Sequence, residues 1–115
     1  MADCLFCKVA SGEIPARIVQ RTGDAVAFHD TDPKAPVHVL VIPTRHVPAV
    51  RSADGPEGEA LLGRLLAFSA AVASELGLDG RGYRIVTNTG PDAGQSVDHL
   101  HLHVLGGRKL GWPPG

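Results

Sequence analysis

The stretch "DHLHLHV", residues 98–104, restricts this chain more than any other, because His99, His101 and His103 fall at every second position. Side chains alternate faces along an extended strand. The three imidazoles therefore share one face, and Leu100, Leu102 and Val104 share the other. The apolar face can pack under a helix, while the imidazole face must look onto solvent, a phosphate or a metal. Residues two apart on a strand lie ~6.8 Å apart along it, so His99 and His103 are ~13–14 Å apart, whereas zinc wants nitrogens at ~2.0–2.1 Å. Two neighbouring histidines could share an ion, but a single ion held by all three is disfavoured. Three of the chain's six histidines in strict alternation also argue against a polar strand face on which they fall by chance. A division of labour fits better, with one imidazole as nucleophile and its neighbours organising the site.

A chain of 115 residues reads as one domain, residues 1–115, long enough to bury a core without staples. Its formal net charge of −1, with no Lys/Arg cluster, gives no electrostatic footprint for nucleic acid. The start, "MADCLFCKVA", lacks a basic region followed by a long apolar run, so no signal peptide is expected. No apolar run approaches the ~20 residues of a membrane span. Two cysteines without an export signal point to a reducing, cytoplasmic setting.

Patterning predicts an α+β domain. Asp3 before "CLFCKVAS" and Gly12 reads as a short capped helix. Residues 17–20 and 24–30 read as strands around a Thr22-Gly23 turn, and "VHVLVI" (37–42), bounded by Pro36 and Pro43, as a third. Residues 51–59 are the most loop-like stretch. Leu61, Leu62, Leu65, Leu66, Phe68, Val72 and Leu76 follow helical spacing, with Glu57 and Glu59 near the start and Gly77 as a cap. Residues 82–88 and 99–105 complete five strands. Short hairpin connections predict a mainly antiparallel sheet with one long and one short helix. A Pro-rich tail follows from about residue 106 to 115.

The loop "NTGPDAGQS" (88–96) places Asn88, Gly94, Gln95 and Ser96 just before the histidines. Backbone N–H groups of such glycine-containing turns can cradle a phosphate. In sum, "QSVDHLHLHVL" resembles the histidine triad (HIT) motif, in which three histidines alternate with apolar residues. The resemblance extends to "EIPARIV", "AFHDTDPKAPVHVLVIP", "GYRIVTNTG", "GQSVDHLHLHVLGGR" and "WPPG". The last two blocks are similar to the Hint branch, the histidine triad nucleotide-binding proteins.

That resemblance implies a homodimeric phosphoramidase that hydrolyses purine nucleoside 5′-phosphoramidates such as AMP-NH₂ or AMP-lysine. It makes His101 the nucleophile, a role that suits a neutral imidazole whose other nitrogen is held by an acceptor. It assigns protonation of the leaving amine to Ser96 and His103, and support of the site's hydrogen bonds to His38. It places Asn88, Gly94, Gln95, Ser96 and Val97 around the phosphate and Asp30 on the ribose hydroxyls, with His29 nearby. Leu5, Phe6, Val9, Ile14 and Phe28 would wall the purine, and Trp112 would reach a partner's site. Core packing, a turn aspartate before Pro33 and a packing anchor in the tail are the respective structural alternatives.

Cys4 and Cys7 form a Cys-x-x-Cys pair, which alone is only half a zinc site. By resemblance to some bacterial HIT proteins, Cys4, Cys7, His46 and His99 would form a structural Cys₂His₂ zinc centre, with no catalytic metal. Ordinary near-surface thiols, with His46 in a loop, are the alternative. Two positions depart from the family pattern: Asp98 replaces a usual aromatic, where it could bond an imidazole, and Thr31 replaces an apolar residue at the base. A nucleotide-binding regulatory module, a zinc-held scaffold and a dinucleoside polyphosphate hydrolase are the competing readings.

Overall fold

The structure, a computed structural model, describes residues 4–115. Its elements are helix α1 (Leu5–Ser11), strands β1 (Ile18–Arg21), β2 (Ala25–His29) and β3 (Val37–Pro43), helix α2 (Gly55–Glu75), and strands β4 (Tyr83–Val86) and β5 (Leu102–Gly106), with a 3-10 turn at Val50–Ser52. The strands form one sheet in the order β1-β2-β3-β5-β4, and every pairing is antiparallel. This is the α+β, five-stranded architecture that the patterning predicts.

Alternation along the central strands splits the core in two. One face packs α2 over Ala25, Ala27, Val39, Val41, Leu102 and Val104, using Leu61, Leu65, Val72 and Ala73. The other face packs α1 over Val26, Phe28, Leu40 and Ile42, using Phe6, Val9 and Ala10. Leu66, although in phase with the helical pattern, is 53% exposed and stays outside this core.

Local boundaries differ from the sequence reading for identifiable reasons. The predicted cap Asp3 lies outside the described residues; the observed N-cap is Cys4, whose sulfur accepts from the Cys7 N–H at 3.3 Å. Gly12 closes α1 at φ 85°, a left-handed conformation open to glycine. The stretch 51–59 is not a loop throughout, because α2 starts within it: Asp54 takes the N-cap position without a side-chain hydrogen bond, and Pro56 stands in the first turn, where a missing N–H costs nothing. At the other end Leu76 is the cap, and Gly77 follows in the left-handed region with Leu78 N–H bonding Ala73 O at 2.9 Å.

The last strand is the consequential difference. It begins at Leu102, so His99 and His101 precede it and only His103 lies within it. The β3–β5 register runs from Val37↔Gly106 to Val41↔Leu102, and continued pairing would set Leu100 against Pro43, which has no N–H to give. The Leu100 N–H turns instead to Val47 O at 2.6 Å. β5 ends at Gly106, so the tail starts one residue later than expected.

Candidate functional site: an imidazole chain at a strand end

Face alternation survives beyond the end of the ladder. Leu100, Leu102 and Val104 are buried toward α2, while His99 and His101 turn to the α1 side. That side is not open to water at its inner end: His99 is fully buried and His101 is 4% exposed. The Phe6 ring of α1 meets His101 edge-on at 5.1 Å and His99 at 6.0 Å.

The hydrogen-bond partners fix each ring's tautomer. His101 Nδ1 lies 2.7 Å from His99 O, a carbonyl that can only accept. Nδ1 therefore carries the proton, and Nε2 keeps its lone pair. Thr87 Oγ1 donates to His101 O at 2.9 Å and holds the same residue from β4's end. His38 Nδ1 accepts the Lys34 N–H at 3.0 Å, so its Nε2 carries the proton and donates to His103 Nδ1 at 2.9 Å. His103 is thereby left with Nε2 as its donor, its ring 5.2 Å from that of His101. Asp30 Oδ2 lies 3.4 Å from His38 Nε2, while Oδ1 accepts the Asp32 N–H at 2.8 Å.

Burial favours the neutral rings this chain requires. It pushes His103 down to about 4, helped by the neighbouring His101 and His38 and opposed by Asp30. Burial likewise holds His38 below the ordinary imidazole value against the pull of Asp30. The trio Asp30, His38 and His103 also has donor atoms within 4.8 Å of one another, but the 2.9 Å contact between the two rings is a hydrogen bond.

These groups border a cavity of about 1040 Å³. Leu5, Phe6, Val9, Ile14, Phe28 and Leu40 supply an apolar wall; His29, Asp30, Ser96, His101 and His103 supply the polar side. Thr31 lines it, in keeping with its expected place at the base, while Arg17 and Leu40 have roles there that residue type alone does not reveal.

Other expected residues lie outside the lining. Gln95 staples the loop: its Oε1 accepts the Gly90 N–H at 2.9 Å, and its Nε2 donates to Pro48 O at 2.7 Å and Val97 O at 3.0 Å. Both amide protons are thus committed, so the side chain braces the 88–96 loop and has no proton left for a ligand. The N–H groups of Gly94 and Gln95 are also spent inside the turn, on Pro91 O and Gly90 O. The open main-chain donors of this loop are therefore sought at Ser96 and Val97, where Val97 also packs on the α1 core. Asn88 follows β4 and does not line the cavity; Trp112 is 86% exposed on the tail and does not reach it. Asp98 is exposed and bonds no imidazole, contrary to the expectation raised for it.

A second cluster sits directly behind. Cys4, Cys7, His46 and His99 place their donor atoms within 4.8 Å of one another. Cys4 Sγ lies 3.2 Å and Cys7 Sγ 3.5 Å from His99 Nδ1, and Cys7 Sγ lies 3.3 Å from His46 Nδ1. The sulfur–nitrogen edge of a zinc tetrahedron is about 3.6 Å, so the four groups are close to the size such an ion requires. His99 Nε2 donates to Pro43 O at 3.0 Å, which leaves Nδ1 as a lone pair aimed at the sulfurs. Burial pushes the His99 ring below the ordinary imidazole value and the Cys7 thiol above its own. The donor set fits a soft, tetrahedral divalent cation with no open position.

A five-stranded α+β sheet that carries alternating, buried imidazoles at a strand end has solved counterparts. The model of the HIT domain family matches residues 11–110. An uncharacterized HIT-like protein of Synechocystis sp. is 50% identical over 113 residues, 98% of this chain and 97% of its own length. The crystal structure of a HIT family hydrolase from Legionella pneumophila superposes with a TM-score of 0.94 at 43% identity, covering 98% of this chain and all of that one. A histidine triad protein from Clostridium difficile gives 0.93 at 39% identity, covering 96% of each chain. The chain belongs to the HIT domain family.

Proposed function

We propose that this HIT protein is a purine nucleoside phosphoramidase of the Hint type, hydrolysing the P–N bond of AMP-NH₂ or AMP-lysine type substrates. The observation that carries the reading is the 2.7 Å contact of His101 Nδ1 with His99 O, which directs an unprotonated Nε2 to a large, half-apolar cavity. The name of the Legionella relative, a HIT family hydrolase, agrees with hydrolysis.

In this mechanism the purine lies on the Leu5, Phe6, Val9, Ile14 and Phe28 wall, and Asp30 accepts from the ribose hydroxyls. The His101 Nε2 lone pair attacks the α-phosphorus and forms a P–N bond to the ring. The P–N bond to the amine breaks, and the amine takes a proton by way of Ser96 and the His103 Nε2–H. Main-chain donors at Ser96 and Val97 meet the charge that develops on oxygen. Water then attacks the nucleotidyl-imidazole and gives a proton back to the Ser96–His103 relay; the P–N bond to the ring breaks, releasing AMP and restoring His101. Cys4, Cys7, His46 and His99 would hold a zinc ion, which when bound supplies a crosslink between the N-terminal segment and the histidine segment.

The test compares wild type with His101→Ala on AMP-NH₂ and a fluorogenic adenosine phosphoramidate. Turnover by wild type, trapping of a nucleotidyl-protein adduct, and loss of both in the variant are expected. Wild-type protein that binds AMP without turnover would instead be a binding module, and preferential cleavage of a dinucleoside polyphosphate would place it in another branch. We further propose a cytoplasmic homodimer; light scattering at micromolar concentration checks the mass.

A further inference from the structure

We infer that the Cys4–Cys7–His46–His99 cluster is a positioning device for the reaction centre, so that cation occupancy and nucleotide binding are linked. The inference rests on the proposed role of His101 and concerns how that role is maintained. His99 belongs to both sites at once. Its Nδ1 faces the two sulfurs at 3.2 and 3.5 Å, while its own main-chain oxygen receives the His101 Nδ1 proton at 2.7 Å. A shift of the His99 residue that the cluster holds therefore moves the one acceptor that sets the nucleophile's tautomer and ring plane.

The N-terminal ligands act on the same ring from the opposite side. Phe6 stands between Cys4 and Cys7 in sequence, and its ring contacts His101 at 5.1 Å and Phe28 at 5.7 Å. Leu5, Phe6 and Val9 line the cavity, so the seven-residue helix that carries the Cys pair is also a wall of the pocket. A helix this short has little stability of its own. A cation bound at the cluster ties this wall, the His46 segment after β3 and the histidine segment to one point. His46 itself lines no part of the cavity, so a change there reaches the nucleotide only through the cluster.

The experiment measures AMP affinity with zinc-loaded and chelator-stripped wild type, and zinc affinity by chelator competition with and without AMP. Zinc removal is expected to weaken AMP binding by about tenfold, with AMP tightening zinc by the same factor, as linkage demands. His46→Ala should behave as stripped protein, and His46→Cys, which restores a fourth soft ligand, should regain AMP affinity and the thiolate charge-transfer band of the cobalt form. Folded, zinc-free protein that binds AMP within about twofold of the loaded form would overturn the inference. If His46→Ala does not fold, the reciprocal zinc measurement on wild type decides alone. If wild type neither binds nor hydrolyses adenosine phosphoramidates, the proposed function fails. The ¹⁵N NMR tautomer pattern of His101 then decides the coupling: a zinc-dependent change supports it, and an unchanged pattern sinks it.

Discussion

Replacing His103 by Asn should flatten the acid dependence of stability by a calculable amount. In the folded chain the ring is held neutral, its pKa lowered to about 4 by burial and by the neighbouring imidazoles. In the unfolded chain it returns to about 6.5. The fold therefore prefers the unprotonated ring, and its contribution is complete above pH 6.5 and disappears as pH falls toward 4. The full difference is about 2.5 pH units, or about 3 kcal/mol. Between pH 6 and 5 the unfolded state is mostly protonated at this group and the native state is not, which removes about 1 kcal/mol. Urea unfolding of both proteins at pH 7, 6 and 5 gives the comparison. The two proteins differ only at residue 103, so the difference of slopes reports the loss of that imidazole. Asn can still accept the His38 proton, which keeps the partner satisfied. Equal pH slopes in the two proteins would refute the assignment of a neutral, half-buried His103.

Three further outcomes follow from particular contacts. Because His103 stays neutral down to about pH 4, the acidic limb of kcat/KM with an adenosine phosphoramidate should not carry a loss from this ring until pH approaches that value. Gln95→Leu strands the Gly90 N–H and two carbonyls and lets Ser96 wander; stability should fall by about 1–3 kcal/mol in urea melts, with kcat/KM dropping more than nucleotide affinity. Gly58→Ala would drive a methyl group into the Ala53 backbone at the start of α2, and a loss of about 3 kcal/mol should appear as a lower thermal midpoint without an altered KM.

Period-two alternation makes the site's faces legible, because His99 and His101 keep to the α1 side and Leu100 and Leu102 to the α2 side even where the backbone bends at residues 97–99 and leaves the ladder. It did not reveal that the ladder stops at Leu102, since that depends on Pro43 of another strand arriving opposite Leu100. Stretch 51–59 looked like a loop for a related reason: Asp, Gly and Pro serve turns and helix starts alike, and the packing of Gly58 against Ala53 selects the second. The Cys-x-x-Cys pair was visible, but its meeting with His46 and His99 needed the resemblance, because those ligands are distant in sequence. Gln95 was placed beside the phosphate by its position, whereas its side chain is committed to Pro48 and Val97. Lys34 and Thr87 carried no signal at all. One contributes a main-chain amide, which any residue but proline has, and the other a hydroxyl whose acceptor, the His101 carbonyl, lies on a distant segment.

The Lys34 amide sets the tautomers of His38 and His103, and the His99 carbonyl sets that of His101; both are main-chain groups. Side-chain exchange at position 34 leaves that polarity untouched, although it removes the exposed Lys34–Asp32 ion pair. Proline is the exception. Lys34→Pro deletes the amide proton, permits His38 to reverse its tautomer, and lets the direction of donation through His103 invert while every histidine is still in place.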